Sequence, residues 1–200
     1  MKRIALLLAI AAISSFAGDF KVGADAAGLL SIPSFSGDAK PDDTKLGFGG
    51  KIAIAGQYDV NEQFAVRADV GYLLTTWGFK IKDVDLDENG DLVATTRNVD
   101  ATSHFITIGA DAIYKPVAKL QVLAGPSVDI PVAGSYSGDG SGDIKNDQTS
   151  VLIEAGLGYE ITPAIAVNAK YRFPVTNYLD GNGMELKIHQ VQVGVSYNFN

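Results

Sequence analysis

Apolar and polar side chains alternate along most of this chain after its first twenty residues. The last segment shows the pattern most clearly, because every second residue from Val191 to Phe199 is apolar. Successive side chains of a β-strand point to opposite faces, so a period of two predicts strands. Seven further segments alternate in the same way, with apolar rows in 20–30, 48–58, 64–74, 106–114, 120–130, 151–159 and 165–173. The pattern predicts eight strands and no amphipathic helix.

The connections between these strands are of two kinds, which alternate along the chain. Three are short, at 59–63, 115–119 and 160–164. Four are long and polar, at 31–45, 80–100, 133–149 and 175–187. In an up-and-down antiparallel sheet, this order places all short turns at one end and all long loops at the other.

A tyrosine precedes each short connection, six residues before an apolar residue of the next strand. These are Tyr58, Tyr114 and Tyr159, and Tyr197 and Phe199 hold the corresponding place near the end of the last strand. Tyrosine is a good strand former, but it also collects at membrane interfaces, with its ring in lipid and its hydroxyl among headgroups. The repeated spacing favours an interfacial aromatic belt.

The apolar rows contain no charged residue, and the opposite face of the strands carries five basic and five acidic residues. They are Lys21, Asp25, Lys51, Arg67, Asp69, Asp111, Asp129, Glu154, Lys170 and Arg172. A soluble sheet would turn these charges to water, whereas a membrane barrel turns the apolar rows to lipid and the charges to its lumen. Buried charges need partners, so their balance favours a closed interior holding a salt-bridge network.

Closure follows from the same physics, because an open sheet edge in hydrocarbon would leave backbone groups unpaired. The sequence therefore predicts an all-β fold, an eight-stranded antiparallel up-and-down transmembrane β-barrel. Pro126 lies within one strand and has no amide hydrogen to donate, so we expect a bulge or a frayed position there.

The N-terminus has the features of a secretory signal peptide: Lys2 and Arg3, an apolar run, and small residues before a cleavage site after Ala17. The apolar run is too short to span a bilayer. We expect residues 1–17 to be the signal peptide and 18–200 to be the barrel domain.

Composition excludes several classes of function. The chain has no cysteine, two histidines and an acidic balance of 23 Asp+Glu against 16 Lys+Arg. These numbers argue against thiolate metal sites, disulfide scaffolds and nucleic-acid partners. The four long loops carry fourteen of the acidic residues and seven of the basic ones.

Three candidate sites remain. Asp85, Asp87, Asn89 and Asp91 match the first half of a calcium loop, but Thr96 holds the twelfth position, so the alternatives are weak calcium binding and a solvated acidic tip. Ser103 is adjacent to His104 and points to the other face, which argues against a serine–histidine pair. Trp77, Phe79 and Ile81 continue their strand beyond Leu74 in the opposite phase, and we expect an outer aromatic belt or an exposed apolar tip there.

The signal peptide, the eight alternating strands, the tyrosine-flanked turns and the C-terminal run ending Tyr197-Asn198-Phe199-Asn200 resemble small bacterial outer-membrane β-barrels of the OmpA/OmpX/OmpW type. The resemblance implies a location in the outer membrane, contact with its lipids and assembly by the barrel-assembly machinery. It differs in one position, because the usual C-terminal signal ends on the aromatic residue itself.

We expect a monomeric, non-enzymatic barrel without a cofactor, acting in envelope integrity or binding an unknown external ligand through its acidic loops. The alternative is a narrow channel for small solutes. Two further hypotheses are a lipid-modifying outer-membrane enzyme and a soluble lipocalin-like binder.

Overall fold

The computed structural model describes residues 19–38, 41, 43–86, 92–138, 141–144, 148–181 and 184–199. The proposed signal peptide lies outside these residues. No helix among them is long and apolar enough to cross a membrane. The strands are β1 (Asp19–Ser36), β2 (Asp43–Lys45), β3 (Gly47–Asp59), β4 (Phe64–Leu86), β5 (Leu92–Val117), β6 (Leu120–Gly138), β7 (Gly142–Asp143), β8 (Ser150–Thr162), β9 (Ile165–Pro174), β10 (Leu179–Gly181) and β11 (Met184–Asn198).

Eight long strands form a closed antiparallel ring in the order β1-β3-β4-β5-β6-β8-β9-β11, and β11 pairs back onto β1. Three short strands lie at the loop end, where β2 pairs with β4, β7 with β6 and β10 with β11. The prediction of an eight-stranded antiparallel barrel is confirmed. Apart from these short additions, every neighbour in the ring is also a neighbour in sequence except at the closing pair of β1 and β11.

The strands are strongly tilted, as the register around the ring shows. From Ala169, the partners through β8, β6 and β5 lead to Phe64 on β4. In the other direction, through β11, β1 and β3, they lead to Leu74, ten residues further along the same strand. This offset is the shear of the barrel, and it fixes which residues of opposite walls lie at the same height.

The three short turns are built by local hydrogen bonds. Asn61 Oδ1 accepts from the amides of Gln63 and Phe64, both at 2.8 Å, and Thr162 Oγ1 caps the β8–β9 turn in the same way. In the β5–β6 turn Lys119 adopts a positive φ of 72°. All three turns lie at one end, as the alternation of short and long connections predicted.

The second long loop was predicted over 80–100, and this prediction is wrong for most of its length. β4 and β5 continue as a paired two-stranded ribbon up to the pair Leu86↔Leu92. The residues are good strand formers, among them Val93, Thr95 and Val99. Residues 95–98 are exposed on both faces of their strand, so alternate positions there show no contrast in burial. We call residues 78–86 and 92–100 the ribbon.

The two faces of the wall have opposite character. Outward-facing apolar side chains are exposed, for example Ile54 at 69% and Val193 at 62%. Inward-facing charged side chains are buried, and Arg172 has no exposed surface. This distribution is the reverse of a soluble sheet, and it agrees with a barrel whose outer surface meets lipid.

Prolines disturb β6 in two ways. Opposite Pro126 the β5–β6 ladder passes from Gly109↔Ser127 to Ala112↔Ala124, so it is frayed there, which is one of the two outcomes expected. The register shift lies higher, where His104 pairs with Ala133 and Phe105 with Pro131. The bulge therefore follows Pro131, a position that the sequence analysis did not single out.

Candidate functional site: the filled lumen and the two rims of the barrel

Two ion pairs lie in the mouth of the lumen at the end of the barrel with the short turns. Lys21 Nζ lies 2.7 Å from Asp59 Oδ2, and Lys115 Nζ lies 2.9 Å from Glu160 Oε1. Glutamines brace both carboxylates: Gln57 donates to Asp59 and Gln121 to Glu160, each at 2.7 Å. Lys115 and Glu160 belong to predicted turns, so the sequence analysis missed this pair.

The middle of the lumen holds the charged residues that alternation placed on the inner face. Arg67 Nη2 lies 2.7 Å from Asp25 Oδ1, and Lys51 Nζ lies 2.7 Å from Asp69 Oδ1. Lys170 contacts Asp111 and also Glu154, the latter at 3.3 Å. Together with Arg172 and Asp129, these residues form one buried ionic layer across the barrel.

Arg172 is the most enclosed of these cations. Its Nε donates to Glu154 Oε1 at 2.8 Å and its Nη2 to Asp129 Oδ1 at 2.8 Å. Its Nη1 donates to Gln190 and its Nη2 also to Ser127 at 3.2 Å. Four strands are thereby joined through one guanidinium, whose planar fork suits two carboxylates at once.

Above the ionic layer, toward the loop end, the lumen becomes apolar. Trp77 stacks near Phe79 and meets the edge of Tyr178, with centroids 5.9 Å apart in both cases. Ser103, fully buried, accepts hydrogen bonds from Trp77 Nε1 at 3.2 Å and from the Tyr178 hydroxyl at 2.8 Å. The apolar layer consists of Leu29, Leu73, Trp77, Ala101, Phe105, Tyr178, Leu186 and Ile188.

The expected outer aromatic belt at Trp77 and Phe79 is therefore wrong, as is the exposed tip. Trp77 is 4% exposed and lies inside the barrel, and Phe79 packs against the same layer. The inward phase of Leu73 and Thr75 simply continues to Trp77, since β4 has no bulge here. The side chain of Ile81 lies outside the described part of the chain.

These two layers fill much of the lumen of the described barrel. A cavity of about 20 Å³ lies at the ionic layer, and another of about 20 Å³ lies beneath Tyr178. A cavity of that size holds about one water molecule. A wider vestibule of about 130 Å³ opens at the end with the short turns.

The outer surface carries an aromatic girdle at the short-turn end. Tyr114, Tyr159, Tyr197 and Phe199 are exposed there, and Tyr58 is half-buried. Phe64 stacks on Tyr114 with centroids 5.0 Å apart. The structure thus places the residues of the predicted belt on one outward-facing ring at one height.

A second outward-facing girdle lies toward the loop end, and it contains both histidines. Tyr72 is hydrogen-bonded to His104 and Tyr171 to His189. Phe173 packs edge-on against His189. Ser103 faces the lumen while His104 faces outward, so the geometry offers no serine–histidine pair at this position.

The ribbon base carries two exposed ion pairs, Lys80–Asp43 at 3.0 Å and Lys45–Asp100 at 3.1 Å. The hydrogen bond and charge of Lys80 hold the pKa of the Asp43 carboxyl below its ordinary value of 3.8. The side chains of Asp85, Asp87, Asn89 and Asp91 lie outside the described part, so the calcium loop stays a prediction. Among the described residues no cluster of three His, Cys, Asp or Glu could hold a metal ion.

Residues 4–199 match the family model described as outer membrane protein beta-barrel domain. No curated protein sequence matches the chain.

Solved structures with a similar fold include Ail, the attachment invasion locus protein of Yersinia pestis, with 14% identity and a TM-score of 0.49 over 90% of this chain and 98% of that chain. Neisserial surface protein A has 22% identity and a TM-score of 0.46 over 90% and 97%. The outer membrane protein OprG of Pseudomonas aeruginosa has 12% identity and a TM-score of 0.41 over 92% and 97%.

Proposed function

Because this chain belongs to the outer membrane protein β-barrel domain family, we propose that it is a closed, non-enzymatic barrel that acts at the cell surface. It lies in the bacterial outer membrane, with the short turns facing the periplasm and the long loops facing outward, as in other barrels of this membrane. Its role is envelope integrity or binding of an external partner through the ribbon and the acidic loops.

The filled lumen is the observation that carries this proposal. A solute crossing the barrel would have to displace Arg172 from two carboxylates at 2.8 Å and then pass the apolar layer around Trp77. Breaking a buried ion pair costs about 3–5 kcal/mol. An eight-stranded barrel has an interior just wide enough for its own side chains, and both layers use that space.

The extracellular end is what remains available to a partner. β4 and β5 stay paired for eight residue pairs beyond Gly78↔Asp100, which at about 3.3 Å per residue amounts to roughly 26 Å of ribbon. Residues 80–100 include six acidic and three basic side chains. Such a surface attracts a basic partner and repels an acidic one, and salt weakens both effects.

Conductance in planar bilayers tests the closed lumen. We expect no stepwise current from folded protein, whose insertion is verified by a band that moves on boiling in a detergent gel. Stable single-channel steps would overturn the proposal and favour the alternative of a narrow channel for small solutes.

A shortened ribbon tests the surface role. Residues 83–95 are replaced by Asn-Gly, so that the existing pair Lys82↔Thr96 is closed by a two-residue turn. Vesicles carrying the intact barrel should bind polylysine in a salt-dependent way, and the shortened barrel should bind markedly less. Equal binding by both proteins would exclude the ribbon as the acidic surface.

The lipid-modifying alternative has its own test. Replacement of both histidines by glutamine should leave the lipid A of the host membrane chemically unchanged, as measured by mass spectrometry. A change in lipid A that depends on either histidine would contradict a non-enzymatic barrel.

A further inference from the structure

Both histidines of the chain occur in the same local arrangement on the outer surface. In each case a tyrosine hydroxyl is bonded to Nδ1 of a histidine on the next strand: Tyr72 to His104, and Tyr171 to His189 at 2.8 Å. The rings are also in contact, with centroids 5.9 Å and 6.0 Å apart. Each imidazole is thus held in a fixed orientation, and the Nε2 atom on the far side of the ring remains for a ligand.

The two pairs lie at equal height on opposite walls. The strand pairings lead from Ala169 to Phe64 in one direction around the ring and to Leu74 in the other. The residue of β4 at the same height as Ala169 is therefore midway between these two, near Asp69. β9 and β4 run in the same direction, so Tyr171 is level with residue 71, next to Tyr72. The strand pairs β4–β5 and β9–β11 are four positions apart in the ring of eight.

This height corresponds to the outer edge of the apolar band. Tyr72 is eight residues above Phe64, which belongs to the aromatic girdle at the short-turn end. At about 3.3 Å per residue and a tilt of roughly 40°, the two girdles are about 20 Å apart. His104 pairs with Leu74, two residues higher again, and so it lies where lipid headgroups begin.

A shallow apolar groove of about 570 Å³, open along most of its surface, descends from this point along the outer wall. Gly28, Gly50 and Ala26 form its floor, and Tyr72 forms part of its rim. An added Cβ at Gly28 would meet nothing within 4 Å, so the depression is open space at the depth of the hydrocarbon. Tyr72 therefore connects the groove to the histidine above it.

We propose that the Tyr72–His104 and Tyr171–His189 pairs bind phosphate-bearing lipids of the outer leaflet. The Nε2–H of each histidine donates a hydrogen bond to the phosphate, and the tyrosine fixes the direction of that bond. At the first site, an acyl chain of the same lipid fills the groove. At the second site, Lys187, two residues from His189 on β11, supplies a cation close to the phosphate.

The test measures lipid retained by the folded barrel. The full chain is purified from outer membranes in a phosphorus-free detergent, and bound phosphorus is determined per barrel. We expect His104→Leu and His189→Leu each to lose about half of the wild-type phosphorus, and the double variant to lose nearly all of it. Tyr72→Phe, which keeps the ring and removes the hydroxyl, should reduce retention at the first site only.

Gly28→Leu tests the groove separately, and Ala124→Leu is its matched control. Both add a leucine to the outer wall, but Ala124 is an exposed residue on β6, the strand opposite β1 in the ring, and it pairs with none of the residues of the two proposed sites. Gly28→Leu should lose lipid as His104→Leu does, while Ala124→Leu should retain all of it. Each variant must show the shifted band of a folded barrel on an unboiled gel.

Refolding into phosphatidylglycerol vesicles and into vesicles containing lipid A identifies the source of the phosphate, because the retained lipid is then determined by mass spectrometry. Wild-type phosphorus in the double histidine variant would overturn the proposal. A groove occupied by a second copy of the chain, seen as a dimer that Gly28→Leu abolishes without loss of phosphorus, would overturn its acyl-chain part.

Discussion

Replacing Arg172 with methionine should unfold the barrel at a much lower denaturant concentration. The side chain has no exposed surface, and methionine fills a similar space without the charge. Glu154 would keep Lys170 Nζ at 3.3 Å, whereas Asp129 would lose the guanidinium nitrogen that lies 2.8 Å away. At least one buried carboxylate would therefore lose its closest cation.

The expected magnitude follows from this geometry. A buried pair broken by removal of one partner costs about 3–5 kcal/mol, mostly because the remaining charge is desolvated. With an m-value near 2 kcal/mol per molar urea, the midpoint of unfolding should fall by about 2 M. Arg172→Met combined with Asp129→Asn should recover part of the loss, since one unpaired charge is then removed.

Trp77 provides the assay, because it is the single tryptophan of the chain and lies 4% exposed in the apolar layer. Its fluorescence reports loss of the lumen in urea, and the heat-dependent gel shift gives an independent reading. Lys80→Met is the matched control. It breaks the exposed Lys80–Asp43 pair at 3.0 Å and should leave the midpoint where it is, because water screens that pair.

A midpoint for Arg172→Met within about 0.5 M of the wild type would refute the reasoning, since it corresponds to roughly 1 kcal/mol. The ionic layer would then contribute little to stability, and hydration of the lumen would replace it. An equal loss in Lys80→Met would refute it as well, because burial could not be the cause.

Three further predictions concern the turns and the extracellular end. Lys119→Gly should stabilise the barrel by about 1 kcal/mol in the same urea assay, because glycine adopts the φ of 72° without strain; Ala118→Gly should not. The pKa of Asp43 is held below 3.8 by Lys80, so in a carboxyl NMR titration Lys80→Met should raise it toward 3.8. Because the pKa of this carboxyl is lowered in the folded barrel, the ion pair favours the folded state above pH 3.8. This stabilisation is lost as the pH falls through the lowered pKa. Calcium titrated calorimetrically into the folded barrel should give no heat below millimolar concentration, because Thr96 cannot supply the bidentate carboxylate of the twelfth position.

The eight strands and their order could be predicted because lipid imposes one rule on every strand. The wall has an apolar outside and a mostly polar inside, so alternation recurs in each of the eight ring strands. Even strand number and closure then follow from the cost of an open edge in hydrocarbon. The short turns were equally predictable, because they interrupt alternation for only a few residues.

Prediction failed where that contrast disappears. Residues 80–100 carry no continuous row of alternating apolar residues, so the sequence pattern of the ribbon resembles that of a loop. The prediction of an outer belt at Trp77 failed for a different reason. Its inward phase was visible from Leu73 and Thr75, but a large aromatic near a predicted rim was assigned to the outer belt, whereas the lumen above the charges is apolar.

The charged residues could be counted from the sequence, but their partners could not be assigned. Lys170 and Asp111 are 59 residues apart, and Arg67 and Asp25 are 42 apart. Which of them meet depends on the ten-residue shear, which alternation does not determine. The sequence analysis missed Gln190, Ser127 and Tyr178, because a neutral side chain has no charge that would point to a partner of opposite charge.

Inward-facing glycines show how the ionic layer and the narrow barrel depend on each other. A Cβ at Gly109 would lie 2.8 Å from Asp69 Oδ2, so the carboxylate of the Lys51–Asp69 pair occupies the space that a methyl group would need. At Gly156 an added Cβ would first meet the backbone of β9, at the carbonyl oxygen of Ala169. One glycine thus leaves room for an ion pair, and the other allows two strands to approach each other closely. The filling of the lumen therefore depends on the small residues of the inner face as well as on its charged ones, and the long loops contribute to neither contact.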